Sequence, residues 1–507
     1  MEVLLSFCFV LLSTILALWL LNFSSHKTKH QLPPGPWILP IIGSLHHLVS
    51  VVPHRKITEL CRRHGPLMFL KLGELNTVVV SSAEAAALVM KTNDIKFASR
   101  PNNPTQRIIS CDGRGIVFAP YGEHWRQMRK VCIVELLSSM QVRRMEGIRA
   151  EEVGSLLRYI AAAASTGATI NLSEMAMSLS NNVVSRAVFG GKFVHQEEYI
   201  RELEVVLTLL GGFCLVDLFP SSQLARFLST GARHMQRSYD RMQHIIEDVI
   251  EKRNGERAAG DSTCSTDDED LLDVLLRLQK EDSLELPLTR ETICAVLFDL
   301  FSAATDTTGT ALEWAMSELV RHPEVMAKAQ AEIQKVLGQD QDVITHRGLA
   351  ELQYLRMVIK EVLRLHPSAP IFPRMTREDC KILGYDMLKG TIVLVNIFSV
   401  SRDPKYWKNP EEFVPERFEN GTDYSGTNFE FTPFGAGRRQ CPGMIFATST
   451  LEIALANLIY HFDWVLPGRA SPESLDMSEK FGMTVGRKYE LELIAIPRVD
   501  ASSRKHI

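Results

Sequence analysis

A mainly α-helical fold with small β-sheets, carried behind an N-terminal transmembrane anchor, is what this sequence predicts, on three observations. The first is Val3 to Phe23, a run of 21 residues without a charge. As a helix it spans about 31 Å, against a hydrocarbon core of about 30 Å. Glu2 precedes the run and Lys27 and Lys29 come after it, unlike a cleaved signal peptide. By the positive-inside rule this asymmetry leaves the body of the chain in the cytosol. The second observation is a pair of mostly apolar runs, Met68 to Leu72 and Thr77 to Ser81, around a four-residue turn; they read as a β-hairpin. The third is the helical period of most of the chain beyond residue 81. Its longest example takes Thr289 as N-cap and runs to Arg321, where His322-Pro323 ends it.

The chain divides into three regions. Residues 1–23 are the predicted anchor, 24–43 a basic and proline-rich hinge through Pro33-Pro34-Gly35-Pro36, and 44–507 one catalytic domain, since no linker divides the rest. The polar stretch from Arg253 to Asp270, ending Asp-Asp-Glu-Asp, reads as an exposed loop. Lys and Arg number 56 against 60 Asp and Glu, a net charge of −4, which gives no basic field for nucleic acid. The nine cysteines are scattered and form no CxxC pair. A reduced, cytosol-facing body fits that pattern better than a disulfide framework.

The chemistry concentrates in Pro433-Phe434-Gly435-Ala436-Gly437-Arg438-Arg439-Gln440-Cys441-Pro442-Gly443. Its glycines let backbone turn tightly against a large flat ligand. Pro442, taken as the first helical position, starts a helix through Met444 to Ile459, so Cys441 meets the positive end of a helix, where a thiolate is favoured. Arg438 and Arg439 suit carboxylates of a cofactor. Gly435-Ala436-Gly437 lacks the third glycine and preceding strand of a dinucleotide fingerprint, so electrons should come from a separate protein.

The pattern Phe434-x-x-Gly437-x-Arg439-x-Cys441-x-Gly443 resembles the haem-binding signature of the cytochrome P450 family, in its plant A-type microsomal form. The resemblance implies the haem-thiolate fold, haem b (iron protoporphyrin IX) with Cys441 as the metal ligand, and electrons from NADPH through NADPH–cytochrome P450 reductase. Phe434, Arg439 and Gly443 belong to the cofactor-binding pattern. Trp125 and Arg129 lie one turn apart on one helix face; the resemblance makes them donors to a haem propionate, and Arg374 a second propionate clamp. Glu361-Val-Leu-Arg364 with Pro415-Glu416-Arg417-Phe418 is similar to the family's buried triad of Glu361, Arg364 and Arg417, a structural lock behind the cysteine loop.

Within the long helix, Ala303-Ala304-Thr305-Asp306-Thr307-Thr308 sets small residues before two threonines. Thr307 can bond back to the Ala303 carbonyl and Thr308 to that of Ala304, loosening the ladder. By resemblance the groove takes dioxygen, with Asp306 and Thr307 as a proton relay. Ala304 departs from the glycine usual there and narrows the groove. Asp299, seven residues before Asp306, either borders the pocket or pairs with a neighbouring helix.

The resemblance implies a pocket lined by Phe301, Ala303, Ala304, Ile371, Phe372 and Met483 among others, hence a small apolar substrate. The chain resembles grass members that oxidise sesquiterpene or diterpene hydrocarbons in defence pathways. That implies a terpenoid hydroxylase at the endoplasmic reticulum membrane, single-pass, with membrane lipid and the reductase as partners. Arg126, Lys130, Arg143, Arg144 and Arg438 are the basic residues expected at the reductase face. Indole-derived or phenylpropanoid substrates, a haem-thiolate isomerase or dehydratase, and a membrane-anchored haem binder without catalysis are the alternatives.

Overall fold

The computed structural model describes residues 30–49, 52–211, 214–259, 269–338 and 341–498. The expected anchor and the first part of the hinge lie outside them; among the described residues no helix is long and apolar enough to cross a membrane. From residue 30 onward the hinge lies against the body. The Phe69 N–H donates to the Pro34 carbonyl at 2.9 Å, and a Cβ on Gly35 would sit 2.1 Å from the Phe69 carbonyl oxygen.

Helix α1 (Pro53–His64) carries Pro53 in its first turn, where the missing N–H costs nothing. It leads into β1 (Leu67–Leu72) and β2 (Leu75–Val80), which pair antiparallel with Leu67 opposite Val80. The turn holds two residues rather than the four expected, because Gly73 takes φ +60 and closes it tightly. The rest of the body is mostly helical: α2 (Glu123–Val131), α3 (Leu172–Phe189), α4 (Thr230–Ala258), α5 (Arg290–Arg321), α6 (Gln353–Leu365) and α7 (Met444–His461) are its main members. Strands β3 (Ile371–Met375) and β4 (Ile392–Asn396) return to the first sheet and complete the order β1-β2-β4-β3, with β4 parallel to β2. Smaller sheets of two and three strands lie mostly in the C-terminal part, with Ile170–Asn171 as one edge of the three-stranded one.

The polar stretch from Arg253 is a correction. Residues 253–258 finish α4 instead of starting a loop. Arg253 pairs with Asp270 at 2.8 Å and Asp273 at 2.5 Å, and Arg257 pairs with Asp273 at 2.8 Å. The next helix thus neutralises charges that would otherwise favour a solvated loop.

Helix α5 begins as expected: the Thr289 side chain accepts the Thr292 N–H. Its 32 residues give a rod of about 48 Å. Helix α3 packs along it so closely that a Cβ on Gly309 would meet the Met177 sulfur at 2.4 Å. Ser180 of α3 donates to the carbonyls of Ala304 at 3.2 Å and Thr305 at 2.7 Å, pinning α3 to the middle of α5. Helix α7 lies in the same apolar core.

The expected triad is present. Both Glu361 and Arg364 have fully buried side chains; Arg364 meets the carboxylate at 2.7 and 2.9 Å, and Arg417 meets it at 2.9 Å. The two guanidiniums also donate to the carbonyls of Ser401, Lys408, Asn409, Pro410 and Glu412. One carboxylate therefore fixes a long irregular segment that precedes the cysteine loop. Removing its charge strands two cations, and Glu361→Gln is expected to destabilise the domain by about 3–5 kcal/mol. The denaturation midpoint measures this against Glu412→Gln, whose side chain is exposed; equal midpoints would contradict the role.

Candidate active site

Asp299, Leu300, Ala303, Ala304, Thr307, Thr308 and Ala311 keep the helical three-and-four spacing and line one side of an internal cavity. The facing wall is the cysteine loop, including Phe434, Gly435, Arg439, Cys441 and Gly443. Phe372 and Leu363 close the ends with Ile116, Val117 and Val184. Phe301 is not on this wall. It falls on the opposite face of α5, fully buried and edge-on to Tyr199 at 5.0 Å. Ile371 and Met483 line an adjoining apolar cavity that shares Arg100, Val117, Ala369 and Phe372 with the first.

The loop's shape comes from two glycines with left-handed φ, Gly435 at +68 and Gly437 at +67. The Gly437 backbone also passes so near residue 90 that a Cβ would lie 2.1 Å from the Met90 carbonyl oxygen. The Cys441 N–H then donates to the Phe434 carbonyl at 2.9 Å, which turns the sulfur to the cavity. Helix α7 starts two residues later than expected: Met444 is its first residue and Gly443 its cap, so Pro442 stands outside. Burial pushes the Cys441 thiol up, opposed by the Gly443 N–H and by Arg129. A metal bound there would displace the proton.

Four guanidiniums, Arg100, Arg129, Arg374 and Arg439, ring the same end of the cavity. Among the described residues the one carboxylate bonded to them is Asp94, 3.4 Å from Arg374. The rest of their bonds go to peptide carbonyls. Arg439 donates to Ala98, Ile116 and Ala119 at 2.7, 3.2 and 2.6 Å; Arg374 donates to Ala436 at 2.9 Å, Arg100 to Val117 at 3.1 Å, and Arg129 to Gln440. Burial and mutual repulsion push Arg439 down to about 8, Arg100 to about 9 and Arg374 to about 10. Guanidinium does not deprotonate in proteins, so this depression measures unfavourable electrostatic energy that an anion would relieve. Arg100 had no signal in the sequence, where it stands between Ser99 and Pro101 without a charged neighbour.

Trp125 gives its indole N–H to the Ile116 carbonyl at 3.0 Å, and the Arg439 guanidinium lies over its ring at 4.1 Å. The residue thus supports the cationic group. Thr307 donates to the Ala303 carbonyl at 2.7 Å, as expected. Thr308 does not bond Ala304; its hydroxyl is buried without a partner, and the Ala304 carbonyl accepts from Ser180 at 3.2 Å. Asp306 lies off the lining stripe and bonds Thr484, and burial pushes its carboxyl up. Asp299 lines the cavity, and its carboxylate accepts the N–H groups of Ile116 and Val117.

These residues fit haem. Among the described residues no cluster of three or more His, Cys, Asp or Glu side chains could hold a bare metal ion. A single thiol therefore suits a metal whose other ligands belong to a macrocycle. The under-neutralised cations suit acidic substituents on that macrocycle, and Ala303 and Ala304 leave the facing wall flat.

A family model described as Cytochrome P450 matches residues 33–491. The chain is 44% identical over 483 residues to desmethyl-deoxy-podophyllotoxin synthase of Sinopodophyllum hexandrum, covering 95% of this chain and 94% of that one. It is 44% identical over 510 residues to ent-cassadiene hydroxylase of Oryza sativa subsp. japonica, covering 98% and 97%. A zebra fish cytochrome P450 structure with progesterone is similar at a TM-score of 0.76 and 26% identity, over 88% of this chain and 100% of that one.

Gly437→Ala adds a Cβ at a left-handed φ against a fixed carbonyl, a cost of at least about 1–2 kcal/mol from conformation alone. The haem-to-protein ratio of the purified variant is expected to fall well below that of the wild type. A full complement of haem would contradict the loop geometry.

Proposed function

The chain belongs to the cytochrome P450 family and is an oxidoreductase of the monooxygenase kind, and from that premise we propose that it hydroxylates an apolar plant terpenoid of sesquiterpene or diterpene size. The observation that carries the reading is Cys441 facing Thr307 across one cavity walled by Ala, Val, Leu, Ile and Phe side chains. Similarity to an enzyme named for hydroxylating ent-cassadiene supports the skeleton class.

Cys441 would hold a haem, and that group would supply the oxygen-activating chemistry when bound. Arg129, Arg374 and Arg439, with Arg100 as the member the sequence did not reveal, hold its acidic groups. Thr307 keeps a hydroxyl at the cavity wall by donating to the Ala303 carbonyl. Asp306 lies on the same turn, off the cavity wall, bonded to Thr484 with its carboxyl pushed up by burial, and in the family pattern it would relay protons towards Thr307. The apolar walls exclude water once substrate is bound.

We place the protein at the endoplasmic reticulum membrane, anchored once through residues 1–23 with the catalytic domain in the cytosol. Support comes from two exposed apolar segments. Trp37, Ile38 and Ile41 are exposed, as are Leu224 and Phe227. Both segments reach the β1–β2 turn, where Gly73 donates to Ile42 and Glu74 to Leu218. NADPH–cytochrome P450 reductase would meet the basic face of α2 and its surroundings, where Arg126, Lys130, Arg143 and Arg144 are exposed. Arg438 also reaches that side but is paired with Asp94 at 3.1 Å.

Co-expression with a plant reductase, followed by mass analysis over sesquiterpenes, diterpenes, indoles and phenylpropanoids, tests the reading. The expected result is an NADPH-dependent gain of one oxygen on a terpenoid, with Thr307→Ala releasing several-fold more hydrogen peroxide per NADPH. Product formed without NADPH would point to an isomerase or dehydratase instead, and tight coupling in Thr307→Ala would remove the relay.

A further inference from the structure

The cavity face of α5 carries one carboxylate, Asp299, which an apolar reading of the cavity leaves unused. Its Oδ2 accepts two peptide N–H groups, from Ile116 at 2.6 Å and Val117 at 3.0 Å. Gly115 presses against the same oxygen, where a Cβ would lie 2.3 Å away. The carbonyls of the same two residues are held from the other side, Ile116 by Trp125 and Arg439 and Val117 by Arg100. The loop and the carboxylate therefore fix one another.

The other oxygen is different. Oδ1 accepts no hydrogen bond from a described residue, and it is not among the atoms buried without a partner. Since Asp299 lines the cavity, that oxygen opens onto it. No cation among the described residues is paired with the carboxylate; burial pushes the carboxyl up to about 6, opposed by the two amide bonds. An unused acceptor on a desolvated carboxylate is costly, and a hydrocarbon brings no donor to relieve it.

We infer that Asp299 orients the substrate, its Oδ1 accepting a hydrogen bond from a neutral hydroxyl on a terpenoid that is already oxygenated. A cationic ligand is disfavoured, because Arg100 and Arg439 stand directly behind the loop that Asp299 holds. Such an alcohol is supplied by an earlier hydroxylation or by a cyclisation quenched with water, so this chain acts after a step of that class. The inference rests on the terpenoid reading for the skeleton alone.

Substrate-induced spin-state shifts of the haem-loaded protein give affinities without turnover. Matched sets of a hydrocarbon, its alcohol, its ketone and its protonated tertiary amine are compared, on terpenoid and on phenylpropanoid skeletons. The alcohol is expected to bind about tenfold or more tighter than the hydrocarbon and the ketone, as a hydrogen bond to a charged acceptor allows. Asp299→Asn can keep the two amide bonds with its carbonyl oxygen while turning an NH2 group to the cavity, which donates to an alcohol or a ketone alike, so it should lose the preference for alcohol over ketone and gain on the ketone. If that variant does not load haem, Asp299→Ser replaces it, with the same loss of preference expected. Equal affinity of the wild type for alcohol and hydrocarbon overturns the inference, as does tightest binding of the amine or a preference for alcohol over ketone that survives substitution. An Asp299-dependent preference seen only on phenylpropanoids would support Asp299 and end the terpenoid reading. Hydroxylation of bare terpenes without any alcohol preference would do the reverse.

Discussion

Positive charge buried beside a single thiol is the constraint on which the rest of the structure depends. Arg100, Arg129, Arg374 and Arg439 repel one another, and Asp94 offsets only part of that repulsion. The cluster is tolerable because its N–H groups are shared among carbonyls from separate parts of the chain: residues 98, 116, 117 and 119 on one side and 436 and 440 on the other. Those shared hydrogen bonds thus tie the loop before α2 to the cysteine loop. The cluster also leaves the site short of negative charge at the place where acidic groups of a cofactor would enter.

The wall opposite the thiol is shaped by a different economy of hydrogen bonds. Ser180 and Thr307 take the carbonyls of Ala304 and Ala303, so α5 is held from outside by α3 and from within by its own side chain. Small residues at 303 and 304 then leave width for a flat ligand, and the left-handed Gly435 and Gly437 do the same on the facing loop. Behind the loop, Glu361 collects two arginines and through them a run of carbonyls. A buried charge holds irregular backbone in each case, because such backbone has no ladder of its own to satisfy it.

Much of this was legible in the sequence, where a local rule decides the outcome. The N-cap Thr289, the end of α5 at Arg321, the bond from Thr307 to Ala303 and the contacts of Glu361 come from spacing and from the family pattern. The start of α7 lies two residues beyond Pro442, the expected first helical position, because Gly443 is the cap and Met444 the first residue. Phe301 was assigned to the cavity by segment, although the helical phase sets it on the aromatic side with Tyr199. What stayed hidden depends on contacts distant in sequence. Arg100 and Ser180 carry no motif, residues 253–258 are helical where Asp270 and Asp273 pair with their arginines, and the side that Asp299 takes depends on Ile116 and Val117, more than 180 residues away.

The central claim is that Cys441 is the thiolate ligand of a haem iron set within this cationic pocket. The reduced carbon monoxide difference spectrum of the wild type and of Cys441→Ala tests it most directly. The thiolate-type band is expected in the wild type and should be absent in the variant; a variant that keeps that band would show that another group holds the iron.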